Sequence, residues 1–372
     1  MYFECRAGNL KQALNISERV SGKNPALPVL NSVLLTVSKT TIMVSATNLE
    51  IGAEIQIKGV IKKEGVVTIP AHTLNSYIGF LRDDENIILR SEGSNLHIDT
   101  GRQQTIVRGV DATEFPPFPQ PQYTGSVEFT TNVLLERLKR ALIATTNFNV
   151  KQELSSVSFD ISKTKIILAA TDSFRLAEEI LEGQDVQVND IQDSVVLIPV
   201  RALEELIRIL ETQSTERTTM KISESGVLFI SNQIQLFSRI IIDGKFPQYS
   251  TIIPKKFSTE ATINVKELVN ILRQAKVFTG KLNEVKLTPV VGEGVRIKTG
   301  NKDVGEFESI IEAEVRGENT TIVLNWRYIS DVINRTTANA IFIGMNGGQS
   351  PLLLKPIDQS GSLHIIMPMK GV

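Results

Sequence analysis

Val195-Val196-Leu197-Ile198-Pro199 is a run of β-favouring residues closed by a proline, and residues 201–210 after it carry the apolar spacing of an amphipathic helix. The same passage stands about one-third of the chain earlier, in Val66-Val67-Thr68-Ile69-Pro70 and the helix 72–82. Near the end, Thr321-Ile322-Val323-Leu324-Asn325 leads into the helix 326–335. A recurrence of this kind governs every later assignment, because a missed repeat miscasts the whole architecture. Working outward, each third opens with a short alternating strand and a first helix, at 9–20, 132–145 and 264–278. In the second of these, Val133, Leu134, Leu138, Ala141 and Leu142 fall at helical spacing among charged residues. Asn9, Asn132 and Asn264 stand near the starts as expected N-caps.

A strand pair follows each first helix: 32–37 with 41–46, 156–161 with 165–170, and 284–290 with 294–299. The second strand of each pair ends at a threonine, Thr47, Thr171 and Thr299, spaced 124 and 128 positions apart. Alternating strands close each copy, for example 219–223 and 227–231 around Glu224-Ser225-Gly226. Proline-rich joints, Phe115-Pro116-Pro117-Phe118-Pro119 and Phe246-Pro247 onward to Pro254, separate the copies. The expectation is an α+β protein of three tandem modules, 1–122, 123–253 and 254–372, each packing two helices on antiparallel sheets.

Composition bounds the function. A chain of 372 residues, 41% apolar with mean hydropathy near zero, has material for ordinary globular cores. Its apolar runs are far too short to span a bilayer. Met1-Tyr2-Phe3-Glu4-Cys5 lacks the basic and apolar regions of a secretory signal, and the single cysteine, Cys5, suits a reducing compartment, so a cytoplasmic protein is expected. His72, His97 and His364 lie in different copies with no metal-ligand spacing, so neither metal nor cofactor is expected. Phosphate-binding glycine loops and a G-x-S-x-G elbow are missing from the sequence. Asp172 and Arg175 read as an ion pair or turn cap, and no catalytic set assembles.

Charge is partitioned. The six helix spans hold thirteen basic and six acidic residues, a net of seven positive charges in a chain whose total is −1. Solvated helix faces often collect lysine and arginine; equally, a shared basic helix surface would attract a polyanion while the acidic remainder discourages nonspecific adhesion. Recognition helices and aromatic platforms for single strands are not evident, so contact with nucleic acid would be to the backbone.

Five motifs then resemble one family along essentially the whole chain, the bacterial sliding clamp or DNA polymerase III β subunit. They are Asn24-Pro25-Ala26-Leu27-Pro28-Val29-Leu30, Ala170-Thr171-Asp172-Ser173-Phe174-Arg175-Leu176-Ala177, Asp243-Gly244-Lys245-Phe246-Pro247-Gln248-Tyr249, Ser350-Pro351-Leu352-Leu353-Leu354 and Met367-Pro368-Met369. The resemblance implies a non-catalytic processivity factor: a head-to-tail homodimer forming a six-domain ring around double-stranded DNA. Twelve helices spaced ~9 Å apart give a circle roughly 34 Å across, and subtracting a helix diameter of ~10 Å leaves about 24 Å for a duplex.

It also implies a partner-peptide cleft between the second and third domains, for the polymerase catalytic subunit, the clamp loader and other proteins bearing the binding motif. By motif match its lining is Leu154, Thr171, Phe174, Arg175, Leu176, Pro247, Ile252, Asn325, Tyr328, Ser350, Ile366, Met367, Pro368 and Met369. Residue types alone would make these interdomain core. The DNA-facing set is Lys23, Asn24, Arg137, Lys139, Arg140, Lys151, Gln152, Arg201, Arg208, Lys266 and Arg273; the dimer contacts are Thr105, Val107, Val277 and Phe278. Asn24 stands where the family often has a basic residue, with Lys23 beside it, and Phe174 where it often has histidine. Two other classes remain open on residues alone: a β-rich hydrolase using scattered carboxylates such as Asp99, Asp111 and Asp243, and a DNA-binding regulator that never closes a ring.

Overall fold

The structure is a computed structural model, and it describes residues 1–22, 27–146 and 151–369. The first module runs β1 (Tyr2–Arg6), α1 (Ala7–Val20), β2 (Ser32–Val37), β3 (Ile42–Thr47), β4 (Ile51–Ile57), β5 (Val60–Lys63), β6 (Gly65–Pro70), α2 (Ala71–Gly79), β7 (Asn86–Glu92), β8 (Asn95–Asp99) and β9 (Gln104–Val107). The second runs β10 (Gly125–Thr130), α3 (Thr131–Ala141), β11 (Ser156–Ile161), β12 (Lys165–Thr171), β13 (Arg175–Glu182), β14 (Val186–Asn189), β15 (Ser194–Pro199), α4 (Val200–Thr212), β16 (Arg217–Ile222), β17 (Gly226–Ser231) and β18 (Ile234–Arg239). The third runs β19 (Thr259–Asn264), α5 (Val265–Ala275), β20 (Glu284–Val290), β21 (Gly294–Asn301), β22 (Gly305–Ile311), β23 (Ala313–Gly317), β24 (Ile322–Asn325), α6 (Trp326–Ile333), β25 (Ala340–Met345), β26 (Leu352–Pro356) and β27 (Ser362–Ile366). The order of strands and helices is the same three times, as the strand-to-helix passages predict.

Two compact units emerge. One, Met1–Asn132 with Gln187–Ile191 and Arg201–Ile240, holds a five-stranded sheet, β5-β1-β7-β8-β9, and a nine-stranded sheet, β14-β10-β16-β17-β18-β4-β3-β2-β6. The other, Val133–Val186 with Gln192–Val200 and Ile241–Val372, holds the nine-stranded β15-β11-β12-β13-β27-β26-β25-β19-β23 and the four-stranded β22-β21-β20-β24. Each nine-stranded sheet crosses a junction between modules. In the first unit β18 pairs antiparallel with β4, Phe237 opposite Gly52. In the second β27 pairs antiparallel with β13, Ile365 opposite Leu176.

These seams share one register. Gly52 and Leu176 both lie opposite the recurrent threonine of the preceding strand, Thr47 and Thr171. On the other side, Phe237 and Ile365 each follow the residue reached by stepping across the sheet from the position four before the first helix. Those steps are Val127 to Met220 to Phe229 to Leu236, and Ala261 to Ile343 to Leu354 to His364. Twist and alternation thus repeat faithfully enough for a residue in one module to be matched to its counterparts.

Locally the helices start where the sequence changes chemistry. Pro70 and Pro199 end β6 and β15 and hand over to α2 and α4. The Asn264 side chain accepts from the backbone N–H groups of Lys266 and Glu267, as an N-cap should, and Asn325 caps α6 through Arg327. The other two expected caps are corrected: Asn9 lies inside α1, which begins after Arg6, and Asn132 follows Thr131 in the first turn of α3. In both places the helix extends back to the end of the preceding strand, because no residue there blocks it. The third module's core is representative: Leu268, Leu272, Ile329 and Ile333 of its helices bury against Leu287, Ile297 and Ile341 of its strands. Among the described residues no helix is long and apolar enough to cross a membrane.

Candidate functional site

In the second unit, the residues between β12 and β13 form a tight turn. Thr171 Oγ1 donates to the Arg175 carbonyl at 2.8 Å and accepts from Ser173 N–H, while Asp172 Oδ1 accepts the N–H groups of Phe174 and Arg175 at 2.9 Å. Ser173 takes the left-handed backbone region, φ 77°, held there by the hydrogen bonds of the turn. Phe174 is displayed at the tip, 62% exposed, with its carbonyl held by Met367 N–H at 2.8 Å. Arg175 extends from this turn. Its Nε meets Asp172 at 2.9 Å, its Nη1 meets Asp331 of α6 at 2.5 Å, and its guanidinium lies 4.6 Å from the centre of the Tyr328 ring. Burial and the negative charge of Asp172 push the Tyr328 hydroxyl above its usual range, so it stays a neutral donor.

Beneath this polar cluster lies an apolar one. Leu176, Leu353 and Ile365 are buried, with Tyr249, Ile253, Phe257, Phe342, Leu363 and Met367 packed around them. Burial, reinforced by Glu178, raises the Tyr249 hydroxyl pKa, so this wall too is neutral. Among the other expected lining residues, Leu154, Ile366 and Pro368 are buried, Asn325 and Ser350 half-buried, and Pro247 and Ile252 exposed. Met369 N–H donates to the Val323 carbonyl at 2.8 Å, which ties the end of the described chain to β24. The sequence motif finds Arg175 and Tyr328 but not Asp331, whose helical position gives no hint of its partner.

Four residues deeper along the same seam, Glu179 is fully buried and accepts from Arg137 Nη1 and Arg140 Nε, each at 3.0 Å, and from Ser362 Oγ. His364 lies 3.7 Å away. Burial first, then Arg140 and Arg175, lowers the His364 pKa to about 3, so the imidazole is neutral. Glu179 is raised by burial against the opposing pull of Arg140, Ser362 and Arg137. The expectation that Arg140 faces DNA is therefore corrected: its side chain is almost wholly buried and its charge is used by Glu179. Arg137 is mostly buried and divided between Glu179 and the Ser360 carbonyl.

The remaining helix cations divide. Arg208 is exposed but bonded at 3.1 Å to Glu205, which also takes a bidentate contact from Arg19. Lys139 contacts Glu136 at 3.4 Å. Arg201, Lys266 and Arg273 are exposed, as are Lys151 and Gln152. Lys23 and Asn24 lie outside the described residues.

The two sheets that do not cross a junction end in open strands, β9 in the first unit and β22 in the second. On β9 Val107 points into its own core and Thr105 is half-buried, while Ile106 between them is 60% exposed. Period-two alternation thus presents Ile106, between the two expected contact residues, on the outer face of the strand. Near β22, Val277 is exposed and Phe278 stacks on Phe307 of β22 with ring centres 5.8 Å apart. Phe80, at the end of α2, is 90% exposed. Among the described residues no group of three or more His, Cys, Asp or Glu side chains could hold a metal ion.

Repeated modules, an apolar cluster beside a fixed arginine and two open strand edges mark a protein built for association. Family models for the N-terminal, central and C-terminal domains of the DNA polymerase III β subunit match residues 1–119, 128–248 and 250–370. The chain belongs to the DNA polymerase III β-subunit family. Among relatives named Beta sliding clamp, that of Synechococcus elongatus is 26% identical, covering 100% of this chain and 99% of its own. The Synechocystis protein is 28% identical over 99% of both. A solved DNA polymerase III β subunit from Thermotoga maritima superposes with a TM-score of 0.91 at 23% identity, covering 100% of each chain, which establishes the same fold.

Proposed function

We propose that two copies of this chain close head to tail into a non-catalytic ring, a sliding clamp that encircles duplex DNA and holds the polymerase and other partners to it in the cytoplasm. One observation carries this: a repeat of three has two internal seams and leaves one unmatched edge at each end. Phe307 lies opposite Thr299, as Gly52 and Leu176 lie opposite Thr47 and Thr171. Stepping from Phe3 to Leu89 to Ile98 to Thr105 makes Ile106 the counterpart of Phe237 and Ile365. The pairing proposed is thus Ile106 of one protomer opposite Phe307 of the next. The apolar side chains of Ile106 on β9 and Val277 beside β22 are exposed at the open strands, where such a seam would cover them. The domain boundaries 1–122, 123–253 and 254–372 are the repeats so joined.

The partner cleft proposed is the Thr171–Arg175 turn and its surroundings. Support comes from an apolar floor, two methionines that can adapt their shape, and an arginine fixed by two carboxylates and a tyrosine face. Two clefts in one ring would let two partners bind together. Sedimentation equilibrium tests the assembly: the protein should run at twice 41.1 kDa, and Ile106→Glu should run as a monomer. A monomeric parent, or an Ile106→Glu variant that dimerises as tightly as the parent, would contradict the seam. Phe174→Ala should weaken binding of a short peptide carrying Leu and Phe anchors without changing the mass; unchanged peptide affinity would remove the cleft assignment.

A further inference from the structure

The repeat supplies an internal control for the helix face that a duplex would meet. Counting from the first residue of each first helix, the second, sixth and ninth positions form one stripe, because these spacings fall along a single face. In α1 the stripe is Gly8, Gln12 and Asn15, which is neutral. In α3 it is Asn132, Glu136 and Lys139, where the glutamate and lysine meet at 3.4 Å and cancel. In α5 it is Lys266, Asn270 and Arg273, all exposed. Neither cation there has a carboxylate partner among the described residues, and the opposite face buries Val265, Leu268, Leu272 and Ala275.

The rest of the helix charge is skewed the same way. In the first module Lys11 is bound to Asp83, Arg19 to Glu205 and Arg82 to Asp84. In the second, Arg137 and Arg140 are spent on Glu179, and Arg208 on Glu205. Exposed cations in or flanking the third module's helices without an internal carboxylate are Lys266, Arg273, Lys276, Arg327 and Arg335, against Arg201 in the second and Arg6, at the start of α1, in the first, among the described residues. An arginine already held by a carboxylate gains little from a phosphate, since the existing pair must first be broken.

We propose that the ring grips duplex DNA unevenly, with the α5 face Lys266–Asn270–Arg273 of each third module as the principal phosphate contact and the first module's helices close to electrostatically silent. This rests on the encirclement proposed above and deepens it. Two cations one helical repeat of seven residues apart stand roughly 10 Å from each other along the axis, with an amide donor between them. That suits two phosphates of one backbone without reading bases. A ring held to DNA at two such places would tilt or hop between them.

The test uses the intact dimer and a mixed-sequence 24-base-pair duplex, with binding followed by fluorescence anisotropy over a range of salt. For Lys266→Gln/Arg273→Gln, which removes two cations from each protomer of the dimer, the slope of log affinity against log salt should flatten by about 1.8 for each third module in contact with the duplex and by about 3.6 with both, near 0.9 for each phosphate no longer neutralised. The transplant Gln12→Lys/Asn15→Arg should steepen it. Lys266→Gln alone changes one exposed side chain, so it serves if the double variant fails to assemble, with half the effect expected. Equal slopes for parent and Lys266→Gln/Arg273→Gln would overturn the uneven grip. Retention of the parent on nicked circular duplex, measured in parallel, keeps the two ideas apart: its loss would sink encirclement itself.

Discussion

Arg175 and Glu179, four residues apart on β13, show how differently one strand can use charge. Arg175 is fixed between Asp172, Asp331 and the Tyr328 ring, with part of its side chain still open to solvent. Glu179 is sealed in the seam with Arg137, Arg140 and Ser362. Its counterparts in the other seam are apolar: Ile55 stands for Glu179 and Leu236 for His364. A buried ionic cluster is weak evidence for stability, but removing one member strands the others. Arg140→Ala should therefore lower unfolding free energy by about 3–5 kcal/mol, read from denaturant unfolding; a loss under about 1 kcal/mol would mean the cluster is effectively solvated. His364 predicts a pH dependence. Its folded pKa, about 3, lies below the ordinary 6.5, so the neutral form is favoured and its contribution is intact above pH 6.5. As pH falls towards 3 the unfolded chain takes up a proton that the fold refuses, and stability declines by up to about 1.4 kcal/mol per pH unit. His364→Leu, which copies Leu236, should flatten the acid limb by about one proton; an unchanged slope would locate that sensitivity elsewhere.

At the scale of elements, the helices do two tasks with opposite faces. The apolar stripe of α5 closes the third core, so Leu268→Ala should cost about 2–5 kcal/mol in denaturant unfolding, while substitutions at Lys266 should leave the midpoint unchanged. A shift at Lys266 comparable to that of Leu268 would mean its face is packed. The strand-to-helix passages are legible because proline, β-branched runs and helical periodicity sit at the same offsets three times. Helix starts are less so: Asn9 looks like a cap, yet α1 begins at Ala7, since a good capping residue does not prevent an earlier start. Of the cleft, the turn from Thr171 to Arg175 is legible as a motif, and the first module repeats its bonds. Thr47 and Asn48 hold Leu49, Glu50 and Ile51 in the same way, with Leu49 at φ 74°. The turn is thus a property of the fold, and Phe174 in place of Glu50 is what makes the second copy apolar. Asp331 and Glu179 are not legible, because what pairs them with arginines is distance in space, and a helix-rich count of basic residues gives no warning that Arg140 is consumed inside.

For the whole molecule, the proposed assembly rests on repetition. Three like modules joined by like seams leave β9 and β22 as open strands, and under the pairing proposed above such a heterologous contact either polymerises or closes. The proposed head-to-tail closure at two copies would give six modules and twelve helices, and retention on DNA would then need topology more than affinity. The net charge of −1 on the chain fits that proposal: a few unpaired cations on helix faces would suffice for contact, and the acidic balance elsewhere would limit adhesion. The measurement closest to the central claim is retention on a nicked circular duplex after gel filtration, with the ring loaded and the DNA then cut once. The protein should stay with the circle at salt that abolishes ordinary binding and leave within the time of linearisation. Equal retention on circle and linear DNA, or none on either, would contradict encirclement.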